Sequence, residues 1–243
     1  MHGVITFDRS RCEQAADASN FKRGIYDEGF LKRITGKEDI KLRGFFQSYK
    51  YFERWEREVR DVLAFREDVL TKAMEAINIL HFRKLGTSLY HSDTAEALDL
   101  VGVHVRRYPA DRRRREGLGY RTAPEDYVSF AMSEMKAWIL NRDSPPDVRF
   151  FVVTDDPAWA ESKLGLKALP DTMLVKGLDW AANLALLASM DDVIVTVGAL
   201  GWWGAWLADG RSMYYQDFVK PGSEMDSAYL ANDFFPPYWL GMS

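Results

Sequence analysis

The chain has 243 residues, of which 47% are hydrophobic, enough for a substantial core and too many for global disorder. With 32 basic against 36 acidic residues the net charge is −4, which excludes a dedicated nucleic-acid binder whose whole surface leans basic. Cys12 is the single cysteine, so an internal disulfide and a disulfide-stapled mini-domain are excluded as well.

The length suits one large domain or two small ones. No stretch is long and apolar enough to span a bilayer, and Met1 opens no signal-peptide pattern. There is no Asn-x-Ser/Thr sequon. On these grounds the chain is expected to be soluble.

Residues 21–90 carry mostly helical patterning. In "FFQSYKYFERWEREVRDVLAF", Phe45, Tyr49, Phe52, Val59, Val62 and Leu63 recur at helical spacing with charges between them. A second helix is predicted over "REDVLTKAMEAINIL", and "GTSLYHSDTAEA" reads as a loop. From Leu98 onward strands and helices alternate. "DLVGVHVR" is a strand, and "PEDYVSFAMSEMKAWIL" a helix with Pro124 suited to its first turn. "DVRFFVVTDD" is a strand, and "PAWAESKLG" a short helix closed by Gly165. "DTMLVKG" is a short strand, and "DWAANLALLASM" a helix that Asp179 can cap. "DVIVTVG" is a buried strand, "LGWWGAWLADG" a helix, and "SMYYQD" the last strand.

Such alternation implies an α/β fold with a parallel sheet and right-handed crossovers. Ligands in these folds bind beyond the carboxyl ends of the strands. The residues standing there are Arg106 and Arg107, then Asp155 and Asp156, then Gly198. Paired arginines can grip phosphate oxygens in fork geometry. Gly198, between a strand and a helix, lets backbone N–H groups approach an anion. The aspartates can accept hydrogen bonds from hydroxyls or a base edge. Together they compose a candidate diphosphate-sugar site. No Walker-type lysine loop and no G-x-G-x-x-G follows a strand, which argues against P-loop and dinucleotide-binding readings; no His/Cys cluster has metal-ligand spacing, so no metal is expected.

The same stretches carry a family resemblance. "VGVHVRR" resembles the H-V-R-R signature of the alpha-1,2-fucosyltransferases, shared more loosely with alpha-1,6 and protein O-fucosyltransferases. "FFVVTDDPAW", "NLALLASMDDVIVTVGALGWWGAWLADG", "GFFQSYKYF" and the tail "FFPPYWLGM" are similar to further family blocks, in order, from about Gly44 to the end. The resemblance implies a GT-B-type architecture. Residues 98–243 would form its Rossmann-like, GDP-fucose-binding half. Residues 1–97 would be a mostly helical, incomplete acceptor-side half. It also implies transfer of L-fucose from GDP-fucose, with inversion, to a glycan hydroxyl, most often the 2-hydroxyl of a terminal galactose. No cofactor is implied. The setting it implies is the lumen of the Golgi apparatus. By the same resemblance Arg106 grips the donor diphosphate, Arg107 supports it, and His104 lies near the guanine. Asp155 and Asp156 match a T-D-D-P segment near the donor.

Several positions depart from the family pattern. Tyr108 and Pro109 stand where Gly-Asp is usual, and the next aspartate is Asp111. Asn183 replaces an aspartate expected to read guanine, and Gly198-Ala199-Leu200 replaces Gly-Thr-Phe. An N-terminal anchor and an early Gly/Asn/Gln-rich segment are not visible. The chain then reads as a fragment, a truncated gene model or a degenerate member. Simpler roles also fit individual residues. Asp155-Asp156 can cap the helix that Pro157 opens. Arg112–Arg115 reads as a solvated loop adding a favourable field. Trp202, Trp203 and Trp206 read as core, with one of them available to an acceptor groove. His81 and His91 have no evident partners, and Cys12 reads as a spectator. Two functions stay open: an active fucosyltransferase, and a catalytically weak homologue that binds nucleotide sugar or glycan.

Overall fold

The computed structural model describes residues 16–20, 24–30, 40–85 and 97–243. Cys12 and His91 lie outside the described residues. Strands β1 (Ala16–Asn20) and β2 (Ile40–Gly44) pair in parallel as a small two-stranded sheet. Two single 3-10 turns, Tyr49–Tyr51 and Glu53–Trp55, then lead into α1 (Glu56–Val62) and α2 (Glu67–Leu85). The helical reading of this region is therefore corrected at two places. It contains the strand β2, and the run from Phe45 to Leu63 is not one helix. Phe52 (φ −133°, ψ 5°) and Trp55 (φ −126°, ψ 27°) leave helical geometry, and the Ser48 side chain accepts the Lys50 N–H instead. Phe45 and Val62 consequently face solvent, whereas Phe52 and Val59 pack on the core.

The main sheet uses β3 (Leu98–Val105), β4 (Asp147–Thr154), β5 (Thr172–Leu174), β6 (Asp192–Val195), β7 (Arg211–Tyr215) and β8 (Leu240–Met242). All five pairings are parallel, in the order β5-β4-β3-β6-β7-β8. The chain steps outward from β3 to β5, returns beside β3 as β6, and steps outward the other way. The order therefore reverses between β3 and β6, which is where open α/β sheets bind ligands. Strand β8 was not expected. Three residues holding Gly241 carry too little alternation to announce a strand.

The α/β reading holds for the other elements. Between strands lie α3 (Arg112–Gly117), α4 (Glu125–Leu140), α5 (Pro157–Lys163), α6 (Trp180–Ala188), α7 (Ala199–Ala208), α8 (Glu224–Ser227) and α9 (Ala231–Phe234). Helix α4 buries Tyr127, Val128, Ala131, Met132, Met135 and Ile139, the spacing of one helical face. Asp156 caps α5 through the Trp159 N–H at 3.0 Å, with Pro157 at the first position. Asp179 caps α6 through the Ala182 N–H at 2.9 Å. The last five residues of β3, and all of β6, are buried, as strands covered on both faces must be.

Residues before the sheet join the same core. Tyr49, Ala73 and Ile77 are buried with it. Phe52 stacks on Trp203 with centroids 5.4 Å apart and meets Trp206 edge-on at 5.2 Å. Lys50 pairs with Asp233 at 2.6 Å, and Arg60 donates to the Leu207 carbonyl at 3.0 Å. These contacts hold the segment around Gln47 beside the N-terminal end of α7.

Candidate functional site

The turn after β3 is built around one carboxylate. Asp155, at the end of β4, accepts the Arg107 N–H at 2.7 Å and the Tyr108 N–H at 2.9 Å. Its second oxygen stands 3.3 Å from Arg106 Nε. This brace holds Tyr108 at φ +53°, a left-handed conformation that costs a non-glycine residue roughly 1–2 kcal/mol. On the other flank, the Thr196 hydroxyl accepts the Arg106 N–H at 2.9 Å and donates to the His104 carbonyl at 3.3 Å. The ends of β3, β4 and β6 are thus tied into one rim.

The two arginines point to different places. Arg106 has its Cζ 4.8 Å from the centre of the Tyr108 ring, and its side chain is partly exposed. Arg107 turns inward and is 9% exposed. Its Nη1 donates to the Ala123 carbonyl at 2.7 Å, and its Cζ lies 4.1 Å from the Trp159 ring centre.

After β6 the chain passes through Gly198 at φ +100°, ψ 150°, a geometry that glycine alone adopts cheaply. Gly198 is the residue before α7 and offers no side-chain cap. The first intrahelical bond there runs from the Trp202 N–H to the Gly198 carbonyl, which leaves the Ala199, Leu200 and Gly201 N–H groups without an intrahelical acceptor. His104 sits directly beneath. It is 4% exposed, and its Nδ1 is buried without a hydrogen-bond partner. A Cβ added at Gly201 would stand 2.3 Å from that nitrogen. Burial, helped by the neighbouring Arg106 charge, lowers the imidazole pKa to about 3, so His104 is neutral.

These groups surround a cavity of about 370 Å³ beyond the β3 and β6 carboxyl ends. Of the residues that the sequence put forward, His104, Arg106, Gly198, Ala199 and Leu200 line it. Arg107, Asp155, Asp156 and Asn183 are not among its lining residues. Asp155 braces the rim, Asp156 caps α5, and the Asn183 amide donates to the Leu178 carbonyl at 3.1 Å. Thr196, Tyr108, Arg115 and Gln47 line the cavity in addition, and Tyr120, Phe218, Phe234 and Phe235 give it an aromatic end. Among the described residues no group of three His, Cys, Asp or Glu side chains is placed to hold a metal. The arrangement can neutralise an anion with guanidinium and backbone N–H groups while shielding it from water.

Residues 20–243 match the sequence model of Glycosyl transferase family 11. The chain belongs to that family. Galactoside alpha-(1,2)-fucosyltransferase 1 of Bos taurus is 27% identical over 209 residues, which cover 84% of this chain and 53% of that protein. The enzyme of the same name from Oryctolagus cuniculus is 26% identical over 234 residues, covering 93% and 58%. The chain therefore spans little more than half the length of these curated relatives. A solved structure of the alpha-1,6-fucosyltransferase NodZ soaked with GDP-fucose aligns over 76% of this chain and 59% of that one, at 18% identity and a TM-score of 0.46.

In this family 11 chain the arginine run is not a loop. Arg112–Gly117 is helical, with Arg112 paired to Glu116 at 2.8 Å and Arg115 to Asp111 at 3.0 Å. The i, i+4 spacing of opposite charges was the signal available for it. Trp202 and Trp206 are core residues, as expected, and Trp202 also lines the cavity. His81 is buried. Thr196 offered no signal beyond its place at a strand end.

Proposed function

We propose that this family 11 chain transfers L-fucose from GDP-fucose, with inversion, to a glycan hydroxyl, the 2-hydroxyl of a terminal galactose being favoured by the names of its relatives. The observation that carries the proposal is the cationic, N–H-lined cavity at the β3/β6 reversal in a member of a glycosyltransferase family. A leaving GDP gains negative charge as its bond to fucose breaks. Arg106 and the three free N–H groups of α7 are positioned to offset that charge without reorganising, which is the usual source of rate in such a transfer. The neutral His104 packs beneath the first turn of α7 and adds no charge to the cavity. Arg107 and Asp155 act from behind, by fixing the turn that aims Arg106.

Residues 98–243 are read as the donor-binding half, and the residues before them as contributors to the acceptor side. Gln47 reaches the cavity rim from that side. The transfer is proposed to need no metal, and its setting to be the Golgi lumen, both on the family resemblance. No helix among the described residues is long and apolar enough to cross a membrane.

A second reading is a homologue that binds nucleotide sugar with weak transfer. The Tyr108 ring on the cavity wall and the Asn183 amide turned to Leu178 favour it. One experiment separates them: GDP release from GDP-fucose, with and without a galactoside, in the presence of EDTA. Acceptor-dependent release that survives EDTA supports the enzyme. Binding without release supports the homologue, and no binding rejects both.

A further inference from the structure

We propose that Arg115, from the arginine run, is the second guanidinium of the donor-diphosphate site, the place the sequence assigns to Arg107. The inference rests on reading the cavity as the donor site.

Three observations carry it. First, Arg115 lines the cavity together with Arg106, whereas Arg107 does not. Second, Arg106 and Arg115 are presented alike. Each is held by a carboxylate at Nε: Arg106 by Asp155 at 3.3 Å, Arg115 by Asp111 at 3.0 Å. Neither has an acceptor for its two Nη groups among the described residues, so each offers a free pair of N–H donors. Arg107 differs, because its Nη1 is already bound to the Ala123 carbonyl. Third, one aromatic ring orders both. The Tyr108 ring centre is 4.8 Å from the Arg106 Cζ and 5.0 Å from the Arg115 Cζ, and Tyr120 backs Arg115 at 5.5 Å. Cation–π contact with Tyr108 and the two carboxylates offset the repulsion between the like charges. The result is a pair of preoriented forks facing one cavity.

A nucleoside diphosphate has two charged phosphoryl groups. The α7 N–H groups and Arg106 provide for one, and Arg115 provides for the other. This accounts for the Tyr108-Pro109 departure as well. The left-handed turn at Tyr108 redirects the chain into α3, whose C-terminal half carries Arg115 to the rim. Arg113, on the same helix, is exposed and serves as an internal control. It has the same charge, so a purely long-range field would treat the two alike.

The test is calorimetry of the full chain with GDP and GMP, using the parent, Arg115→Gln, Arg115→Ala, Arg113→Ala and Arg106→Ala. Thermal unfolding of each checks the fold, and Arg115→Gln keeps a donor for Asp111. We expect GDP affinity to fall 10-fold or more in both Arg115 variants and less than 2-fold in Arg113→Ala. The preference for GDP over GMP should shrink in the Arg115 variants. Equal losses for Arg113→Ala and Arg115→Ala would reduce the run to a field and overturn the inference. So would parent-like affinity in Arg115→Gln alongside a loss in Arg106→Ala, while leaving the donor-site reading intact. A parent chain that binds neither nucleotide would overturn both.

Discussion

Replacing Asp155 by asparagine tests the brace that shapes the site. The carboxylate accepts two backbone N–H groups, from Arg107 at 2.7 Å and Tyr108 at 2.9 Å, and holds Arg106 at 3.3 Å. An amide keeps one acceptor and turns an NH2 group toward the other N–H. One charge-assisted bond, worth about 1.5–3 kcal/mol, is lost, and the survivor falls to neutral strength. Tyr108 at φ +53° then loses the tie that offsets its strain. Together these give a loss of about 3 kcal/mol in unfolding free energy, read by urea denaturation with intrinsic fluorescence. GDP affinity should fall with it, because Arg106 loses its orientation. A stability change below about 0.5 kcal/mol would refute the brace, since surface substitutions stay within that range. If GDP affinity collapsed while stability held, Asp155 would be a ligand contact rather than a support.

Further outcomes follow from the same geometry. Gly201→Ala places a Cβ 2.3 Å from His104 Nδ1 and should cost about 1–3 kcal/mol in thermal or urea unfolding. His104 titrates near 6.5 when unfolded and about 3 when folded. The unfolded chain therefore binds the proton more readily. The His104 contribution is complete above about pH 6.5 and is lost as pH falls toward 3, at about 1.4 kcal/mol per pH unit. His104→Gln should flatten the stability profile over that window, as measured by urea titrations at stepped pH. Asn183→Asp sets a carboxylate against the Leu178 carbonyl and should cost about 1 kcal/mol. Calorimetry with GDP on the same variant reports whether position 183 touches guanine.

What the sequence made legible was whatever rests on local pattern. The apolar runs at Val101–Val105 and Val193–Val195 fit strands covered on both faces. Asp156-Pro157 and Asp179 read as helix starts because capping is a four-residue affair. Gly198 stood out because a glycine between a strand and a helix lets backbone N–H groups approach an anion. The parallel sheet followed from the alternation of strands and helices, whereas the strand order and its reversal between β3 and β6 came from the structure. Side-chain direction was another matter. Nothing in "RR" says that Arg106 faces the cavity and Arg107 is buried under Ala123 and Trp159. That follows from Asp155 catching two successive N–H groups, a contact 48 positions away for Arg107. Arg115 was hidden for a similar reason: its role depends on the turn at Tyr108, and charge runs are ordinarily solvated. Strand β1 escaped notice because Ala16–Asn20 holds no large apolar residue, and β2 because it is only five residues long.

The central claim is that a nucleoside diphosphate binds at the β3/β6 reversal, and a crystal of this chain soaked with GDP tests it most directly. The account predicts phosphate oxygens within hydrogen-bonding distance of the Ala199, Leu200 and Gly201 N–H groups, with the Arg106 fork closing on the same phosphates. GDP bound elsewhere, or a diphosphate held by Arg107 with this cavity left open, would contradict it.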